Sequence, residues 1–204
     1  MSEITLITGG CRSGKSRYAQ RLSEDVGEKR LFIATAPVLD DEMRQRVAHH
    51  RAERHERGWQ TREEPYDLAG CLRQIDDPPQ EQSGKRPDRQ GYDVVLCDCL
   101  TLWVNNRLYA ATKDGVTLEE EEMASLARKM CVAARAISAP VFLVTNEVGQ
   151  GIVPADKTSR RFRDLAGRCN QEVAAQADSV ILVVSGLPLP LKGSKYRQGV
   201  DPKS

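Results

Sequence analysis

Five short apolar runs punctuate the chain, at 4–8 (ITLIT), 31–35 (LFIAT), 94–97 (VVLC), 141–145 (VFLVT) and 180–184 (VILVV). None alternates apolar with polar positions, which is the pattern of strands covered on both faces of a mostly parallel sheet. The stretches between them have helical spacing. Tyr18, Leu22 and Val26 recur every four residues, and Leu118, Met123, Leu126 and Met130 form a similar stripe before the run at 141–145. Strands alternating with helices predict an α/β domain, a doubly wound, mostly parallel sheet with helices on both faces. The polar, proline- and glycine-rich segment 76–91 reads as a mobile loop within a single domain of residues 1–187. Residues 188–204 read as a loosely ordered tail.

Composition narrows the picture only slightly. A chain of 204 residues has room for one sizeable core. Its 30 basic and 29 acidic side chains nearly cancel, so overall charge gives no support to a nucleic-acid partner. No apolar stretch approaches the length that spans a bilayer, and the N-terminus runs straight into a strand, so a cytoplasmic protein is expected. Six cysteines occur without a C-x-x-C pair, which argues against zinc and for free thiols in a reducing compartment.

Candidate chemistry begins where the first run ends. Gly9, Gly10, Cys11, Arg12, Ser13, Gly14, Lys15 and Ser16 fit G-x-x-x-x-G-K-[ST]. Glycines let the backbone turn its N–H groups around a triphosphate, Lys15 reaches the β/γ-phosphates, and the Ser16 hydroxyl ligates Mg²⁺. The fold expected is therefore a P-loop NTPase of RecA-like type. Ligands of parallel α/β sheets bind beyond the carboxyl ends of the strands. That points next to Ala36-Pro37, Asp98, Asn146-Glu147-Val148-Gly149 and Ser185-Gly186. Asp98, closing an apolar run in a chain with a P-loop, is the expected Mg²⁺-side partner of Ser16, with a helix cap as the plainer alternative.

All three histidines fall close together, at His49, His50 and His55, in a stretch from Asp40 to Arg54 that reads as a helix with acids at its start. Met43, Val47 and His50 share one face, and Arg46, Arg51 and Arg54 surround it with positive charge. The spacings do not suit a metal site. A solvated basic helix and an imidazole that attacks phosphorus both remain open. The basic stretch Arg160–Arg168 likewise reads either as a solvated helix face or as part of the site.

Taken together, GGCRSGKS, ATAPVLDDEMRQRVAHHRAER, CDCLTLWVNN, TNEVGQGIVP, RRFRDLAGRCNQ and VVSG resemble the bifunctional adenosylcobinamide kinase/adenosylcobinamide-phosphate guanylyltransferases of cobalamin synthesis. The resemblance implies two reactions. ATP or GTP phosphorylates the aminopropanol hydroxyl of adenosylcobinamide; GTP then loses pyrophosphate to leave GMP on a histidine, from which it passes to cobinamide phosphate. By resemblance that histidine is His50. The implied nucleotide contacts are Gly9 to Ser16, Ala34, Thr35, Ala36, Arg51, Ala52, Glu53, Arg54, Glu63 and Asp98, with Mg²⁺ on Ser16 and Asp98. The Asn146–Pro154 segment is implied to shape the corrinoid side, and the assembly to be a homotrimer. Two rivals are a P-loop kinase of another small alcohol, which forms no covalent nucleotide, and a RecA-like ATPase module with a macromolecular partner.

Overall fold

A computed structural model describes residues 2–36, 54–75 and 91–193. The helix expected at 40–54, with His49 and His50, and the loop expected at 76–91 lie outside the described residues, except for Arg54 and Gly91.

All five apolar runs are strands: β1 (Ile4–Gly9), β2 (Arg30–Ala34), β4 (Val94–Asp98), β5 (Val141–Val144) and β6 (Ser179–Val184). Two more strands complete the sheet, β3 (Trp59–Glu63) and β7 (Leu187–Lys192), in the order β3-β2-β4-β5-β1-β6-β7. Every neighbouring pair is parallel except β6 with β7. Residues 188–192, expected in the loose tail, thus form a strand of the sheet. Pro188 and Pro190 are tolerated because β7 is an edge strand that needs only one row of hydrogen bonds.

Strand side chains divide cleanly between two faces. Ile7, Phe32, Leu96, Val144 and Ile181 pack with Tyr18 and Ala19 of α1 (Lys15–Glu24). Leu6, Ile33, Cys97, Leu143 and Val180 pack against α2 (Leu68–Arg73), α3 (Leu100–Lys113), α4 (Glu120–Ala136) and α5 (Lys157–Gln176). Each buried Leu or Ile contributes about 1.5–3 kcal/mol, so register is strongly fixed on both faces. This is the doubly wound, mostly parallel α/β architecture that the sequence predicts.

All six cysteines are free, and all but Cys11 are buried. Burial pushes the Cys131 and Cys169 thiols up to about 12, so both stay protonated and behave as small apolar side chains. Two arginines of the basic stretch of α5 form a structural seam. Arg161 donates to the Leu118 carbonyl and pairs with Glu119 at 2.6 Å, while Arg168 pairs with Glu121 at 3.4 Å. It ties α5 to the start of α4.

Candidate active site

The register of the sheet aligns the strand ends. Ala34 stands opposite Glu63 on one side and Asp98 on the other, and Asp98 stands opposite Val144, which pairs with Ile7 just before the glycine-rich loop. Glu63, Ala34, Asp98 and the loop therefore share the carboxyl edge.

The loop itself is built by backbone geometry that few side chains permit. Arg12 and Gly14 have φ of 56° and 92°, and Gly14 caps the N-terminus of α1, aiming its first amides at the loop. Lys15 is 8% exposed, with its Nζ donating to the Gly10 carbonyl at 3.1 Å. From behind, the Gly186 N–H donates to the Ser13 carbonyl at 2.8 Å. The turn after β6 thus clamps the cradle to the sheet. Gly9 is equally constrained, because an added Cβ would collide with the Val183 carbonyl oxygen and lie 2.7 Å from Ser13 Oγ. Backbone on β6 cannot yield cheaply. Gly9→Ala is expected to cost about 1–3 kcal/mol, read as a lower denaturation midpoint at unchanged slope. An unchanged midpoint would show that the loop is not packed against β6 in this way.

Asp98 closes β4 and accepts a hydrogen bond from the Ser16 hydroxyl. Burial raises its carboxyl above the ordinary range, opposed by that hydrogen bond and by the charges of Lys15 and Arg54. Arg54 also lays its guanidinium over the Phe32 ring, 4.0 Å from the centroid, which seats it beside β2. The strand end Ala34–Ala36 is locked to the residue after Asp98. Thr35 Oγ1 donates to the Cys99 carbonyl at 2.7 Å and accepts from the Cys99 N–H at 2.8 Å, while Asn106 Nδ2 donates to the Thr35 carbonyl at 2.8 Å.

Gly9 to Ser16, Ala34 to Ala36, Glu63 and Asp98 therefore lie together at this edge, and Arg54, in the helical turn before β3, brings its charge to bear on Asp98. His50, Arg51, Ala52 and Glu53 lie outside the described residues. His55, the third histidine of the cluster, is exposed.

The sequence reading named Asn146 and Glu147 after the fourth apolar run, but not the polar network around β5 that holds them. Thr101 Oγ1 lies 3.2 Å from Thr145 Oγ1 and accepts from the Asn146 N–H at 2.7 Å. Thr145 Oγ1 donates to Asn170 Oδ1 at 2.7 Å, and Asn170 Nδ2 donates to the Asn146 carbonyl at 3.1 Å. Thr8 Oγ1 donates to Glu147 Oε1 at 2.6 Å. The sequence signal was the polar TNE that ends the fourth apolar run. Its partners are 23 or more residues away, so spacing could not name them.

Fold and site define a P-loop protein with a lysine, a hydroxyl and an acidic strand end at one sheet edge. Residues 5–191 match the family model of cobinamide kinase / cobinamide phosphate guanyltransferase. The chain is 42% identical over 195 residues to the bifunctional adenosylcobalamin biosynthesis protein CobU of Escherichia coli (strain K12), covering 93% of this chain and 99% of that protein. It is 41% identical to CobP of Pseudomonas aeruginosa, covering 92% and 96%. The chain belongs to this family of bifunctional kinase and guanyltransferase enzymes.

Among solved structures it is similar in outline to the flagellar accessory protein FlaH from Methanocaldococcus jannaschii, with TM-score 0.48 and 11% identity over 94% of this chain and 79% of that one. It is also similar to the RadB recombinase, with TM-score 0.46 and 13% identity over 88% and 73%. No helix among the described residues is long and apolar enough to cross a membrane.

Proposed function

We propose that the protein phosphorylates adenosylcobinamide with ATP or GTP, and then transfers GMP from GTP to the product through a covalent histidine–GMP intermediate on His50. The observation that carries the reading is the convergence of Lys15, Ser16 and Asp98 on one glycine-rich loop, in a chain of this family. In the first reaction the loop amides and Lys15 hold the triphosphate, and an alcohol oxygen displaces the nucleoside diphosphate at the γ-phosphorus. In the second, a neutral imidazole nitrogen of His50 attacks the α-phosphorus as pyrophosphate leaves. That splits one hard displacement into two easier ones. Positioning and fixed charge supply most of the acceleration.

Mg²⁺ belongs to the same proposal. Ser16 and Asp98 bring hard oxygen donors together, which suits a cation that takes one or two protein oxygens and completes its shell with water and phosphate. When bound, it would neutralise charge on the phosphate oxygens. Ala34 to Ala36, Arg51 to Arg54 and Glu63 complete the proposed nucleotide contacts, and a homotrimeric cytoplasmic enzyme is part of the same reading.

Incubation with α-labelled GTP is expected to give an acid-labile, base-stable label on the wild-type protein and none on His50→Ala. The variant should retain phosphoryl transfer to cobinamide. Label persisting on His50→Ala would remove His50 as the nucleophile. A wild type that transfers only the γ-phosphate would favour a simple small-alcohol kinase.

A further inference from the structure

Glu147 is a carboxylate at the reacting edge that the proposed nucleotide contacts leave out. β5 lies between the loop strand β1 and the Asp98 strand β4. The residues that follow β5 therefore stand between the start of the phosphate cradle, at the end of β1, and Asp98, at the end of β4. Glu147, three residues past the end of β5, is fastened there twice. Its N–H donates to the carbonyl of Gly9, the first residue of the cradle, at 3.1 Å, and its Oε1 accepts from Thr8 Oγ1 at 2.6 Å. Asn170 Nδ2 approaches the same oxygen at 3.5 Å. Oε2 accepts no hydrogen bond among the described residues, and the side chain is half-buried.

The backbone behind it is held by the Thr101–Thr145–Asn170 network. The preceding residue adds a second acceptor, since Asn146 Oδ1 is buried with no partner among the described residues. Two consecutive residues beside the cradle thus carry an uncommitted acceptor oxygen. A phosphate would be repelled by the carboxylate, whereas a hydroxyl donor matches Glu147 Oε2. Of the other acids at this edge, Asp98 is already engaged by Ser16, and Glu63 stands on the outer strand β3, three strands from β5.

We propose that Glu147 is the general base of the phosphoryl transfer, an inference that rests on the kinase reading above. The proton of the acceptor alcohol passes to Glu147 Oε2. The oxygen electron pair forms the new bond to the γ-phosphorus, and the bond to the β–γ bridging oxygen breaks with its electrons leaving on the nucleoside diphosphate. The carboxyl then returns its proton to solvent. Thr8 holds the carboxylate in place by anchoring the other oxygen, and the attacking alcohol lies beside the cradle that presents its target.

The test uses the full chain and its two half-reactions. Glu147→Gln retains an acceptor for Thr8 but cannot take a proton. It is expected to lower kcat for cobinamide phosphorylation at least a hundredfold, with the KM for ATP within twofold and self-labelling from α-labelled GTP unchanged. A kcat within threefold of wild type would overturn the proposal and show that Glu147 serves only to bind Thr8. Equal loss of both half-reactions would overturn it too, by placing Glu147 in the shared cradle. Should the amide variant not fold, Glu147→Asp, which shortens the reach of the base, is expected to lower kcat about tenfold at constant KM for ATP. An unchanged kcat there is equally decisive. Failure of the wild type to phosphorylate cobinamide would instead remove the kinase reading itself.

Discussion

Lys15→Ala is expected to lower phosphoryl transfer and histidine guanylylation together, each by about a hundred- to a thousandfold, while the protein stays folded. The magnitude follows from what the side chain does. Lys15 is almost fully buried, its ammonium rests on the Gly10 carbonyl inside the loop, and its charge also helps keep Asp98 ionised. Nothing else described in Gly9–Ser16 sets a buried positive charge inside the loop, so no neighbour replaces it when charge develops on the phosphates. Its hydrogen bond, by contrast, is to a loop carbonyl that other donors can reach, and its removal leaves the apolar packing of α1 through Tyr18 and Ala19 untouched. Single-turnover rates with γ-labelled ATP and α-labelled GTP, beside a thermal melt, check this. One half-reaction surviving above a tenth of wild type would mean that the two transfers do not use the same cradle.

The cradle was legible because it is local: eight contiguous residues, following an apolar run that could only be a buried strand. The same holds for β2, β4, β5 and β6, whose side chains are apolar on both faces. β3 escaped because it is an edge strand in which Trp59 alone is buried, leaving Gln60 to Glu63 to read as polar coil. β7 escaped because Pro188 and Pro190 argue against a strand, and Leu187, Leu189 and Leu191 face outward. Edge strands take their stability from a neighbour, and that neighbour is invisible in one-dimensional pattern.

In the site, Asp98 was legible as an acid closing a buried run. The meeting of Glu147 with Thr8 was not, since it depends on β5 being inserted between β1 and β4. Strand order is set by which helices cover which face, and hydrophobic periodicity records the faces without recording the order. Arg161 and Arg168 of α5 carried the opposite ambiguity. Their spacing allowed a place in the site, and only the positions of Glu119, Glu121 and Leu118 put these two in a seam between helices.

Asp98→Asn is expected to separate stability from catalysis. Burial raises the Asp98 carboxyl above its unfolded value, so the group favours the folded state below the unfolded pKa. That advantage is lost as pH rises through the folded pKa. At neutral pH the ionised carboxylate is therefore a net cost to the nucleotide-free protein, offset only in part by Ser16, Lys15 and Arg54. An asparagine keeps an acceptor for the Ser16 hydroxyl and removes the charge. The variant should melt at or above the wild-type temperature near pH 7, and its advantage should shrink as pH falls and the wild-type carboxyl takes up its proton. Phosphoryl transfer should fall by about a hundred- to a thousandfold, since the charge that an ion beside Ser16 requires has gone. Paired melting curves across that pH range, with kinase rates on the same samples, decide it. A variant less stable than wild type at every pH would mean that the folded protein needs this charge for its own structure, and that Asp98 is a structural acid rather than a functional one.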